Sequence, residues 1–225
     1  MAERENRILK IKQQFAETFQ NANHTVQYIP IKAHILRKSD GTGGLSLADL
    51  NTALAQINRY YINVGSGVQF YFCGTPNYIN NTAFYDYDNT EETALCSAND
   101  VTNAINIYFT NSILFGSLAV SGYAYFPSTL SVTNRIFVQS LYATDTRTLT
   151  HELGHYFNLL HTFQSSTDAN QTNREYVTRD VFQGANCATK GDLLCDTPAD
   201  PYGRDSLSLV GCSRKGSYTV LRCPI

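Results

Sequence analysis

Apolar and polar positions alternate from Tyr28 to Leu36, a period of two that predicts a half-buried strand. A Gly41-Thr-Gly-Gly44 turn follows. Ser46-Leu-Ala-Asp49 then resembles a capping box. It opens a helix whose stripe is Leu47, Leu50, Leu54 and Ile57. Four more short runs rich in aromatic and β-branched residues predict strands: Val68 to Cys73, Ala104 to Phe109, Gly122 to Phe126 and Arg135 to Gln139. Thr144-Asp-Thr offers the N-cap of a second main helix, and beyond Gln164 the chain is polar with little periodicity. The order is strand, helix, four strands, helix, irregular lobe, which reads as α+β. At the start, Ile8, Ile11, Phe15 and Phe19 fit one helical face. Residues 1–27 are therefore set apart, as a pro-segment remnant or a docking helix, from a main body at 28–225.

The chain has 225 residues, 43% of them apolar and 16% charged, enough for one domain or two lobes around a cleft. A net charge of −2 supplies no basic field, so nucleic acid is not an expected partner. The longest weakly polar stretch, Ser112 to Phe126, is too short to span a bilayer. Six cysteines in spaced clusters, with no C-x-x-C pair, favour disulfides and an oxidising compartment over zinc binding by thiolates. The first residues lack the apolar core of a signal peptide, so a secreted protein would have had its signal removed. The Asn- and Tyr-rich segment between Cys73 and Cys96 is long enough to need a staple, and a Cys73–Cys96 bridge is expected to supply it.

The chemistry concentrates in His151-Glu152-Leu153-Gly154-His155-Tyr156-Phe157-Asn158-Leu159-Leu160-His161, which holds three of the five histidines. His151 and His155, four apart, share a helix face, while Leu149, Leu153 and Phe157 fall opposite and anchor the helix. His161 converges on them only if the chain turns sharply near Asn158. Three neutral imidazoles leave a fourth position for water, the arrangement of a catalytic zinc rather than a structural one. Glu152 is then placed as the general base for a zinc-activated water attacking a carbonyl.

These residues resemble the metzincin extended zinc motif and, more closely, the pappalysin family of secreted metallopeptidases. The likeness rests on the run from His151 through His161-Thr162-Phe163 and on Gly191-Asp192-Leu-Leu-Cys-Asp196-Thr197-Pro198. The resemblance implies a zincin with a twisted, mostly five-stranded sheet, two main helices above the cleft and an irregular, disulfide-bearing lower lobe. It implies a secreted zinc endopeptidase acting on proteins or peptides, with His151, His155 and His161 as ligands and Glu152 as base. Substrate is expected along an edge strand formed by Gly122, Tyr123, Ala124, Tyr125 and Phe126. The alternative is a catalytically silent peptide-binding or adhesion module on the same fold; retention of Glu152 speaks for the enzyme.

Two departures carry expectations of their own. Asn158 replaces the family's glycine, and asparagine is expected to take the left-handed backbone the turn needs. Metzincins also place a methionine-containing turn beneath the zinc, whereas Met1 is the sole methionine here. The chain is therefore expected to be a fragment or an unusual member that binds zinc more weakly, unless Leu207, Leu209 or Leu221 fills that space. The resemblance also suggests structural calcium through Asp192, Thr197 and the carbonyl of Cys195, against an Asx-turn and Thr-Pro stop with no ion. Of three pairings open to the last four cysteines, Cys187–Cys212 with Cys195–Cys223 is preferred.

Overall fold

In the computed structural model the described residues are 25–127, 135–145, 147–176 and 184–199, with two short strand segments at 213–214 and 221–222. The expected N-terminal helix, with Ile8, Ile11, Phe15 and Phe19, lies outside them, and the 27/28 boundary falls near their start. The chain divides into two compact units, 1–125 with 130–152, and 126–129 with 153–225. The dividing point between Glu152 and Leu153 lies inside one continuous helix.

The first unit holds the main sheet. Strand β1 (Gln27–Arg37) leads through helix α1 (Leu47–Asn63) to β2 (Val68–Phe72). Next come β3 (Asn77–Asn80), α2 (Thr82–Tyr85), β4 (Asp86–Asp88) and α3 (Glu92–Ser97). Strands β5 (Ile105–Thr110), β6 (Ser112–Phe115), β7 (Leu118–Ala119), β8 (Gly122–Ala124) and β9 (Arg135–Gln139) follow. The five expected strands form one sheet in the order β2-β1-β5-β9-β8. All its neighbours are parallel except β8, which runs antiparallel to β9 along the edge. A sixth strand, β3, pairs with the C-terminal part of β1. The fold is α+β.

Helix α1 starts where its cap dictates. The Ser46 hydroxyl oxygen accepts the Asp49 N–H at 3.1 Å and its own proton goes to the Asp49 carboxylate at 2.7 Å. Leu50, Ala53 and Ile57 form the buried stripe. Leu47 is corrected from the expected set: it sits in the first turn and is exposed, and Ala53 takes its place.

Register decides the core on the other face of the sheet. His34 of β1 stands opposite Tyr108 of β5, Tyr108 opposite Phe137 of β9, and Phe137 opposite Tyr123 of β8. Their rings stack in one row across four strands, with centroids 4.3, 4.9 and 4.9 Å apart. Tyr87 of β4 adds a second ring on Phe137 at 4.5 Å. Each such pair contributes about 0.5–1.5 kcal/mol beyond its buried area. Leu36, Leu95, Cys96 and Ile113 close the cluster.

This packing overturns the expected Cys73–Cys96 bridge: both thiols are free, with Cys73 exposed and Cys96 buried in the cluster. The segment between them needs no staple because it is not a loop. It is held by β3 pairing with β1, by β4 pairing with β6, and by the capping box at Asp88 and Glu91.

The second unit is mostly turns among the described residues. A short 3-10 turn at Gln171–Asn173 and the antiparallel pair β10 (Ser213–Arg214) and β11 (Leu221–Arg222) are its regular elements there, apart from its share of the zinc-motif helix.

Candidate metal centre and active site

Helix α4 (Thr148–Tyr156) carries the motif, and Asp145 opens it. Asp145 Oδ1 accepts the N–H groups of Arg147 at 2.9 Å and Thr148 at 2.8 Å, while Oδ2 accepts the Thr148 hydroxyl at 2.6 Å. Donors of the first turn are thus satisfied as the helix begins. Leu149 and Leu153 are buried, as their spacing requires. Phe157 is not: it is 36% exposed, lying just past the end of the helix at Tyr156, although its N–H still reaches the Leu153 carbonyl at 3.0 Å.

The end is made by Asn158, whose φ of 71° lies in the left-handed region. Its N–H donates to the His155 carbonyl at 2.8 Å, and the Leu159 N–H folds back to the Gly154 carbonyl at 2.9 Å. Asparagine tolerates this backbone better than other residues with a Cβ. So the reversal survives without the family's glycine.

That reversal also orients a ligand. The Leu159 carbonyl lies 2.8 Å from His155 Nδ1. A carbonyl only accepts, so Nδ1 carries the proton and Nε2 keeps its lone pair. His161 then comes within reach, its Nε2 3.0 Å from that of His155, with the two rings perpendicular. One ligand atom from each of His151, His155 and His161 lies within 4.8 Å of the other two. Among the described residues this is the one group of His, Cys, Asp or Glu so arranged. Burial, then the neighbouring His155, lowers the pKa of His161 and favours the neutral ring that ligation needs. Three imidazole nitrogens, that of His155 oriented by the Leu159 carbonyl, fit a borderline ion such as zinc.

Two aromatic rings complete the setting. Phe163 stacks on His161 at 4.6 Å, and Phe126 meets His155 edge-on at 5.3 Å. Neither contact is visible in the spacing. Phe126 was expected in the edge strand, but β8 ends at Ala124 and both Tyr125 and Phe126 lie beyond it.

Glu152 is buried, and burial pushes its carboxyl up to about 7. Strand β8 runs against its stem: a Cβ added at Gly122 would stand 3.2 Å from Glu152 Cγ and 2.9 Å from the Phe137 carbonyl oxygen. A glycine is what lets the strand approach so closely. The far side of β8 pairs with no other described strand.

Residues 88–212 match the peptidase M43 family, described as pregnancy-associated plasma protein-A. This chain belongs to that metallopeptidase family. It is 31% identical to an extracellular metalloprotease of Pyricularia oryzae, over 75% of this chain and 57% of that protein. It is 27% identical to an extracellular metalloprotease of Podospora anserina, over 88% of this chain and 72% of the relative. The match to the Pyricularia protein thus spans little more than half of that relative's length. Among solved structures, metalloproteinase-II from Bacteroides fragilis aligns over 58% of this chain and 42% of its own, at 14% identity and a TM-score of 0.36. No described helix of this M43 chain is long and apolar enough to cross a membrane.

In the M43 chain's second unit the disulfide joins Cys187 to Cys195, which replaces the expected Cys187–Cys212 and Cys195–Cys223. The backbone turns at Asn186, whose carbonyl accepts from Thr189 and Lys190, and again at Gly191 with φ 68°. These turns bring the two Cα atoms to 5.1 Å. Cys212 and Cys223 lie outside the described residues, as do Leu207 and Leu209; of Leu221 only the backbone is described. In the acidic loop, Asp192 is buried. Its Oδ1 accepts the Leu194 N–H at 3.0 Å and its Oδ2 accepts the Thr197 hydroxyl at 2.5 Å, the Asx-turn arrangement.

Proposed function

We propose that this chain carries the catalytic machinery of a secreted zinc endopeptidase. The observation that bears most weight is the convergence of the His151, His155 and His161 nitrogens with Glu152 buried next to the first of them. Zinc held there would supply Lewis acidity toward a carbonyl and a water of lowered pKa. Leu159 fixes the His155 tautomer, and Phe163 and Phe126 limit the freedom of the His161 and His155 rings. Glu152 takes the proton of the attacking water at a carboxylate oxygen and later returns it to the leaving amine. Its burial suits a base that works near neutral pH.

The substrate backbone lies extended along β8, using Gly122, Tyr123 and Ala124 and the continuation through Tyr125 and Phe126. Supporting this are the outer edge of β8, which pairs with no other described strand, and its passage over Glu152. Backbone pairing holds many sequences in one register, as a peptidase requires. Secretion is supported by the relatives named extracellular metalloproteases. The test is Glu152→Ala at equal zinc loading, scored on a peptide library. The variant is expected to keep its zinc and its melting temperature while turnover falls by about a hundredfold or more. Wild-type turnover in the variant would remove Glu152 from this role.

A further inference from the structure

Strand β8 is held by more than its ladder. It pairs with β9 over three residues, Gly122 opposite Val138, Tyr123 opposite Phe137 and Ala124 opposite Ile136. Three pairs, with no other described strand on the far side, make a weak attachment. Carried one step further, this register sets Tyr125 opposite Arg135, where the ladder has stopped. Both residues are joined there by a third, Glu92 of α3. Its Oε1 accepts from Arg135 Nη1 at 2.9 Å, and its Oε2 accepts the Tyr125 hydroxyl at 2.7 Å and the Tyr123 hydroxyl at 3.0 Å. Tyr123 and Tyr125, two apart, present the same face to one carboxylate oxygen.

The proton directions within the cluster are ordered. Arg135 Nε donates to Asp100 Oδ2 at 2.6 Å, and Asp100 Oδ1 accepts the Tyr108 hydroxyl at 2.6 Å. Because Tyr123 gives its proton to Glu92, its oxygen receives that of Tyr87 at 2.8 Å. Each side chain bonded to Glu92 is a donor, so the carboxylate has both oxygens engaged. Glu92 and Arg135 are buried. Such charge-assisted bonds are roughly twice as strong as neutral ones.

We propose that Glu92 is a positioning residue for peptide cleavage: through Tyr123 and Tyr125 it replaces the missing rung between Tyr125 and Arg135 and pre-orders β8 to receive the substrate backbone. This rests on the reading that β8 holds substrate. A strand already fixed loses less entropy when a peptide adds to its edge, so the clamp acts on binding of extended substrates and not on the chemical step.

The test compares wild type, Tyr125→Phe, Glu92→Gln and Tyr108→Phe, using zinc-loaded protein and a series of peptides extended residue by residue along one side of the scissile bond. Tyr108→Phe removes a hydroxyl from the same buried cluster but not from the edge strand, so it reports the purely structural effect. Tyr125→Phe and Glu92→Gln are expected to raise KM for the longest peptide about three- to tenfold, less than the full worth of one charged hydrogen bond because only the part spent on ordering the strand reaches substrate binding. Their kcat should stay within about twofold, as should KM for the shortest peptide, whereas Tyr108→Phe should leave KM unchanged. Amide exchange in segment 122–126 of the metal-free protein should quicken in Tyr125→Phe but not in Tyr108→Phe. If wild-type KM does not improve with peptide length, β8 is not the substrate strand and the underlying reading fails. If it improves and Tyr125→Phe keeps the whole gain, or if Tyr108→Phe loses as much, the clamp is merely structural and the inference is overturned.

Discussion

Replacing Asn158 probes the geometry that makes a three-histidine site possible at all. The residue holds φ at 71°, ends α4, and sends the chain back so that the Leu159 carbonyl reaches His155 and His161 meets it. For a residue with an ordinary Cβ this conformation costs about 1–2 kcal/mol, and a β-branched side chain lies at or above the upper end. Glycine occupies it without strain. Asn158→Gly is therefore expected to bind zinc like wild type. For Asn158→Val, about 2 kcal/mol charged against the turned conformation corresponds to roughly thirtyfold weaker metal affinity. Where the fold absorbs the strain instead, the melting temperature drops by about 4–8 °C for a domain of this size. Competition against a chelator of known affinity reads the first effect and a thermal melt of metal-free protein reads the second. A valine variant matching wild type in both, or a glycine variant that lost zinc, would refute the argument that the left-handed turn sets the ligand geometry.

Further expectations follow from individual groups. Alanine at His151, His155 or His161 should lower bound zinc measured by elemental analysis, where Glu152→Ala should not; full zinc in any histidine variant would exclude that residue as a ligand. Burial pushes the Cys96 thiol up to about 12, while Cys73 is exposed. Iodoacetamide at pH 8 should therefore label Cys73 in the folded protein and Cys96 only after unfolding, as read by peptide mapping. His34 is buried between Asn106, Asn77 and Tyr108, and desolvation lowers its pKa despite the opposing pull of the Asn106 hydrogen bond and then of Asp100. The unfolded chain takes up a proton near pH 6.5 that the folded chain refuses. Stability is thus full above that pH and falls as pH drops toward the lowered folded value, by at most about 1.4 kcal/mol per pH unit. In metal-free protein, His34→Gln should flatten the melting temperature between pH 6.5 and 5 relative to wild type; an unchanged slope would mean His34 is protonated when folded.

Local pattern alone carried much of this protein. Five of the six strands of the main sheet were legible because each is a β-branched or aromatic run bounded by turn residues. The motif was legible because residues four apart on a helix must share a face, whatever surrounds them. The left-handed turn at Asn158 was expected from the resemblance, which places a glycine there, and asparagine is a residue that tolerates positive φ. Most of what tertiary structure decided depends on partners remote in the chain, and the rest on where turns and helix ends fall. The polar strands β3 and β4 have no periodicity of their own and exist because β1 and β6 offer them edges. Those pairings made a Cys73–Cys96 staple unnecessary, and two turns near Asn186 and Gly191 gave Cys187 the partner Cys195. Leu47 and Phe157 matched a helical stripe yet stayed exposed, because a stripe fixes direction and not where the helix begins or stops. The row His34, Tyr108, Phe137 and Tyr123 is set by register between four strands, and Glu92 meets Tyr123, Tyr125 and Arg135 only once that register exists. Periodicity is a property of neighbours along the chain, whereas register and burial are properties of the folded whole.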